Sequence, residues 1–170
     1  GSSLVTHGVE VPEGHYAEDN MKATVVPNRN MIMLSIAAGI AVARKACGVA
    51  TGVHAGDHFI YPDCRPQFVE AVNTAVVYGN EGFDSFDRAE WEGDEWKSAI
   101  KAPYMHRTKA DIAYRAMELN VPLEDTWSCY KGGDTHCGKC GTCVERLEAI
   151  NEAGELTCVS RLTMAILAPR

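Results

Sequence analysis

The chain has 170 residues, 46% of them hydrophobic and 23% charged, with a formal net charge of −7. This is ordinary globular composition with room for one core, and the acidic balance excludes a broad electrostatic footprint for nucleic acid. The longest nearly continuous apolar run, Met31 to Ala43, is interrupted by Ser35 and Gly39 and falls well short of the roughly 20 residues that span a bilayer, so a soluble protein is expected.

Residues 1–23 are polar and rich in turn formers, and read as a loop with one short strand at most. Asn30 is placed to cap an apolar helix from Met31 to about Ala46, stopped by Gly48. That helix is apolar on most faces, which predicts burial between layers. Val49 to Val53 reads as a short strand buried on both faces, as in a parallel sheet. The polar loop His54–Arg65 follows, then a helix from Pro66 to Tyr78 ended by Gly79. Residues 80–97, with Trp91 and Trp96, show no period and read as an irregular excursion; Ser98 to Ala102 reads as another strand.

Thr108 and Asp111 form a capping-box signature for a helix from Lys109 to Leu119, with Asn120 as its stop and Pro122 beyond. A last helix is expected from Cys143 to Ala153, closed by Gly154; Met164 to Ala168 in the tail would cover an apolar patch or meet a second copy. Strand and helix alternate, which predicts an α/β domain with a mostly parallel sheet. Residues 1–170 are taken as one incomplete domain, with a metal-binding segment at 126–146 and a C-terminal helix and tail at 147–170. Two or three strands are fewer than the about five or six usual in such a sheet, so part of it is expected to lie upstream.

Cys129, Cys137, Cys140 and Cys143 are spaced C-x7-C-x2-C-x2-C among glycines and small polar residues. Thiolates so spaced can converge on one centre, and four complete a tetrahedron around zinc with no open position, which makes the zinc structural. An iron–sulfur cluster is a rival, since Cys137, Cys140 and Cys143 match the start of the bacterial ferredoxin run; but Leu147 stands where the fourth cysteine belongs. Disulfides are a second rival, opposed by the odd total of 7 cysteines and by the absence of a recognisable secretory signal in residues 1–23. His136 is close enough in sequence to replace a thiolate, although four sulfurs fit the spacing better.

Ligands of open α/β sheets sit beyond the carboxyl ends of strands, which singles out the loop holding His54, Asp57, His58, Asp63 and Arg65. These offer acid, base and recognition groups; the plain alternative is a solvated loop in which Asp63 caps the Pro66 helix. Arg29, at a helix start, suits a carboxylate or phosphate, against simple capping by its neighbours. Lys109 can meet a phosphate as a point charge or stand as a surface lysine. Cys47, Cys64 and Cys158 read as small hydrophobes.

Taken together, Val26-Pro-Asn-Arg-Asn30, Gly52-Val-His-Ala-Gly-Asp57 with Tyr61-Pro-Asp-Cys-Arg65, Lys109-Ala-Asp111, and Thr126-Trp-Ser-Cys-Tyr-Lys-Gly-Gly133 running into His136-Cys-Gly-Lys-Cys-Gly-Thr-Cys143 closely resemble the 7-cyano-7-deazaguanine synthases. The match covers residues 1 to about 150. It implies a partial Rossmann-like fold of the adenine nucleotide alpha hydrolase-like, PP-loop class, and an ATP-dependent ligase of queuosine precursor synthesis; the metal-spaced cysteines, with no recognisable leader, predict a reducing cytoplasm. The implied substrates are 7-carboxy-7-deazaguanine, ammonia and ATP with Mg. One structural zinc per chain is implied on Cys129, Cys137, Cys140 and Cys143. Arg29, Asp57, Asp63 and Arg65 are then the substrate-binding candidates, Asp57 and Lys109 the catalytic ones, and a homodimer or a separate PP-loop chain is the expected partner.

The family's serine- and glycine-rich SGGxDS loop, which holds ATP phosphates on backbone amides, has no counterpart here. The chain is therefore expected to be a fragment, one piece of a split enzyme, or a non-catalytic zinc-containing module that binds a deazapurine or nucleotide. A zinc-ribbon nucleic-acid binder is a further alternative that the net charge of −7 disfavours.

Overall fold

A computed structural model describes residues 2–6, 8–15, 18–83, 91–92, 95–96 and 99–167. The helices are α1 (Glu18–Met21), α2 (Arg29–Ala43), α3 (Pro66–Gly79), α4 (Lys109–Glu118) and α5 (Gly141–Leu167); the strands are β1 (Val49–Ala50), β2 (Trp91–Glu92), β3 (Glu95–Trp96) and β4 (Ile100–Lys101). Two compact units form, Val26–His106 and Gly1–Val25 with Arg107–Arg170. A single domain over 1–170 remains a reading of the sequence.

In the Val26–His106 unit, β1 and β4 pair in parallel, Val49 opposite Ile100 and Ala50 opposite Lys101. The strands are shorter than the expected Val49–Val53 and Ser98–Ala102 because each is two residues long, although Thr51 N–H still reaches Lys101 O at 2.8 Å. Parallel strands need a crossover between them, and α3 supplies it, packing on β4 while α2 packs on β1. Pro66 opens α3 at a position where its missing N–H costs nothing. Val69, Val72 and Val76 form the buried stripe of α3; a side chain such as Val72, 1% exposed, contributes about 1.5–2 kcal/mol by leaving water. Asn73 is the one buried polar residue on that stripe, and its Oδ1 accepts the Ile100 N–H at 2.9 Å, so the strand amide stays paired.

Three expectations for α2 are corrected. Asn28, left-handed at φ 60°, is the residue before the helix, and Asn30 lies inside the first turn. At the other end Lys45 adopts φ 55°, and the bonds Ala46 N–H to Ala41 O and Lys45 N–H to Val42 O close a Schellman motif. The helix thus ends before Gly48 can act. It is also not buried on all sides, for Ile32, Met33, Ile36 and Ile40 are each at least half exposed. Residues 80–97 include a two-residue antiparallel pair, Trp91 opposite Trp96; positions 84–90, 93–94 and 97 of that excursion lie outside the described residues.

In the other unit, α4 has the predicted capping box, with Thr108 Oγ1 accepting from Asp111 N–H and Asp111 accepting from Thr108 N–H. Asn120, at φ 54°, ends it with the same Schellman pattern. α4 packs on α5 through Ala113, Ala149 and Ala153, whose small side chains permit close approach. Gly154 does not close α5, which continues to Leu167; one glycine costs a helix only about 1 kcal/mol, within reach of neighbouring turns. Side chains beyond Gly154, and so the Met164–Ala168 expectation, lie outside the described residues. The N-terminal stretch is more structured than a loop: α1 is followed by a 3-10 turn at Lys22–Thr24, and Glu13 bridges to Cys140. No helix among the described residues is long and apolar enough to cross a membrane.

Candidate functional site

The sulfur atoms of Cys129, Cys137, Cys140 and Cys143 lie within 4.8 Å of one another. Zinc–sulfur bonds of about 2.3 Å at tetrahedral angles set ligand sulfurs roughly 3.8 Å apart, and the Sγ atoms of Cys137 and Cys143 stand at 3.9 Å. The residues fit a single ion. All four are free thiols, and that separation is far beyond the about 2.05 Å of a disulfide.

Local backbone produces this convergence. Gly138 takes φ 69°, a left-handed value that a side chain disfavours, and the turn lets the Lys139 and Cys140 N–H groups donate to Cys137 Sγ at 3.4 and 3.3 Å. Cys137 N–H donates in turn to Cys129 Sγ at 3.5 Å. Such donors favour thiolate. Chiefly through the Cys137 N–H, the Cys129 thiol is held below its ordinary range. Burial opposes ionisation of Cys140, but hydrogen bonding with the Thr142 side chain and with the Tyr130 and Cys143 backbone outweighs it and brings the thiol down to about 6. Burial, then the bond with Cys140, pushes Cys143 up to about 12. Of these two sulfurs, Cys143 therefore keeps the proton that a metal ion displaces.

His136 is not among the converging groups. Its Nε2 accepts the Ser128 N–H at 3.2 Å, and its ring stacks on Trp127 at 4.4 Å between centroids and 22° between planes. The imidazole buttresses the segment that delivers Cys129. Thr142, buried, donates from Oγ1 to Ser128 O at 2.7 Å and tethers the same segment to α5. Sequence reasoning missed the N-terminal brace: Gly14 N–H bonds to Lys139 O at 2.9 Å, Glu13 pairs with Lys131, and Val11 packs on the cysteines.

In the Val26–His106 unit the chain leaves β1 through His54, buried at 5% exposure, into a 3-10 turn at Ala55–Asp57. His54 Nδ1 accepts the Gly56 N–H at 3.2 Å, and Nε2 lies 3.3 Å from Asp57 Oδ2. Asp63 does not cap α3, whose N-cap is Arg65 with no side-chain bond. Its Oδ2 instead accepts the Asn30 N–H of α2 at 2.9 Å, while Asn30 Nδ2 donates to Asp63 O and to Cys64 Sγ at 2.9 and 3.2 Å. A carboxylate on a helix N-terminus satisfies an orphan amide and complements the helix dipole.

Cys64 lies at the centre of this arrangement. Burial first, then the charges of Asp57 and Asp63, push its thiol up to about 12, with Asn30 and Arg29 pulling the other way. Cys64 is therefore no nucleophile at neutral pH. Arg29, Asp57 and Asp63 come from different elements, and the charge of each is felt at Cys64. Arg65, exposed, donates from Nε to His58 O at 2.8 Å. The Nε2 of His58 is buried with no hydrogen-bond partner among the described residues, an atom that invites a water or a ligand. Lys109 belongs to the other unit, where Nζ pairs with Glu145 Oε2 at 2.5 Å.

Residues 1–154 match the family model described as "Queuosine biosynthesis protein QueC". Proteins named 7-cyano-7-deazaguanine synthase from Brucella ovis, Brucella suis and Brucella abortus are each 54% identical over 152 residues, which is 89% of this chain and 60% of theirs. The chain thus spans about 60% of the length of the curated relatives it matches.

Proposed function

Because this chain belongs to the queuosine biosynthesis protein QueC family, we propose that it supplies the substrate-recognition loop and the zinc-bearing segment of an ATP-dependent ligase that makes 7-cyano-7-deazaguanine. The substrates in this reading are 7-carboxy-7-deazaguanine, ammonia and ATP with Mg, and the phosphate-holding loop comes from sequence that the chain does not span. The observation that carries the reading is the group of polar side chains beyond β1, where Asp57 stands 3.3 Å from the buried His54 and Asp63 holds the Asn30 N–H next to Arg29 at the start of α2.

A carboxylate is a poor electrophile until one oxygen becomes a phosphate-type leaving group. Ammonia then displaces that group to give an amide, and a second activation removes the remaining oxygen to leave the nitrile. Recognition falls to Asp57: the exocyclic amine and ring N–H of a deazaguanine are adjacent donors, and one carboxylate accepts both in a charge-assisted pair. Asp63 adds negative charge at the same place while one of its oxygens serves Asn30. Arg29 and Arg65, both exposed, take the substrate's carboxylate. For Lys109 to reach a phosphate it must exchange Glu145 for it.

Zinc is the metal that this reading assigns to Cys129, Cys137, Cys140 and Cys143, since four thiolates this close enclose one ion and leave no position for a reacting group. It holds the fold and takes no part in the chemistry.

The test is reconstitution. The chain combined with the remaining part of the Brucella ovis synthase should convert the carboxylate to the nitrile with ATP consumption, and Asp57→Asn in that assembly should weaken base binding by roughly 2–4 kcal/mol through a donor facing a donor. No conversion, together with ATP-independent binding of the deazapurine by the chain alone, would replace the ligase with a non-catalytic binding module. A parental affinity unchanged within about threefold in Asp57→Asn, or less than about 0.7 kcal/mol, would remove Asp57 from the site.

A further inference from the structure

We infer that His54 is a positioning residue for Asp57, setting the orientation in which that carboxylate accepts the paired donors of the base. The inference rests on the reading of Asp57 given above. His54 sits where β1 opens into its loop, buried at 5% exposure, so its ring cannot swing freely into solvent. Its Nδ1 accepts the Gly56 N–H at 3.2 Å, and a neutral imidazole with Nδ1 as acceptor carries its proton on Nε2. That nitrogen lies 3.3 Å from Asp57 Oδ2, and the Asp57 side chain is 19% exposed, open on one side and backed by the ring on another.

The carboxylate torsion of an aspartate is broad, so an unsupported Asp57 would spread its two acceptor oxygens over many planes. A base edge with two adjacent donors needs one plane. A donor whose own orientation is set by the main chain of the same 3-10 turn narrows the spread before the base arrives, which raises selectivity without a contact between His54 and the ligand. Simple closure of the turn is the competing role, and it would support every ligand alike.

Selectivity therefore decides. The zinc-loaded chain, assembled with the remaining part of the Brucella ovis synthase, is titrated by calorimetry with 7-carboxy-7-deazaguanine and with the same compound lacking the exocyclic amine. His54→Leu should reduce the preference for the amine-bearing base roughly tenfold, the worth of one oriented charge-assisted bond. His54→Gln, which can still offer an N–H to Asp57, should keep the preference within about threefold. In an Asp57→Asn background His54→Leu should have no further effect on the preference.

If His54→Leu retains the parental preference, or weakens both compounds equally, the positioning role is overturned while the reading of Asp57 stands. A parent that binds neither compound, or binds both equally, overturns the reading of Asp57 and this inference with it. Should His54→Leu fail to fold, the tautomer of the unsubstituted chain is read from two-bond nitrogen–proton correlations. An Nε2–H form is expected, and an Nδ1–H form overturns the proposal.

Discussion

In the knuckle the four converging sulfurs come from the single segment Cys129–Cys143, turned by Gly138 and by N–H groups of near neighbours. In the site beyond β1 the decisive bonds run from Asn30 to Asp63, 33 positions apart, and the charges around Cys64 come from different elements. The first kind of site is built by local chain and is spaced to take an ion. The second exists only once α2 and the loop after β1 have packed. The two should fail separately, and for different reasons.

Removing the metal is the largest expected perturbation. Structural zinc contributes on the order of 10–16 kcal/mol in small zinc-binding peptides at neutral pH. Strong chelation or Cys140→Ala should unfold the unit around α5 while α2 and α3 keep their amide protection in hydrogen exchange. Collapse of both units together would erase the contrast. Because Cys143 is pushed up to about 12, it is protonated at pH 7 without metal, so zinc uptake should release protons and weaken as pH falls. Calorimetry in buffers of different ionisation enthalpy measures that release.

Asp63→Ala strikes the other site. It leaves the Asn30 amide without its charged acceptor in a partly buried place, at a cost of about 2 kcal/mol. Exchange at the first turn of α2 should accelerate while zinc content stays at one per chain. Unchanged exchange there would mean that the long-range bond does not hold the helix start.

His136→Ala tests whether the knuckle has a fifth essential member. Loss of the Trp127 stack and of the Ser128 acceptor should weaken zinc by roughly tenfold, as supporting groups around a metal commonly do. Complete loss of metal would instead make His136 a ligand.

Gly138→Ala is the smallest. Forcing a side chain to φ 69° costs about 1–2 kcal/mol, and bound zinc should mask most of it. A large fall in zinc affinity would show that the turn is less adaptable than its open surroundings suggest.

Legibility in the sequence follows the same division. The cysteine spacing announced the four-cysteine cluster because its geometry depends on contacts a few residues apart, and the capping box at Thr108 and Asp111 was readable for the same reason. Asn120 was recognisable as a helix stop, whereas Lys45, of a residue type rarely left-handed, hid an equivalent one. The residues grouped beyond β1 were recognised as a cluster, but their partners were not. Capping of the nearest helix was the natural reading of Asp63, and only packing reveals that a more distant helix start receives its carboxylate.

By itself the sequence determined an α/β chain with a four-cysteine centre and family motifs in order, since spacing, period and capping are properties of neighbours. The tertiary structure alone decided that Asp63 serves α2, that His136 buttresses the cysteines without binding among them, that Lys109 meets Glu145, and that the exit from β1 sets His54 against Asp57. Each of the first three joins residues separated by a turn, a helix or more, and their distances do not exist until the chain between them has folded. The fourth needs the ring buried, which local spacing does not specify.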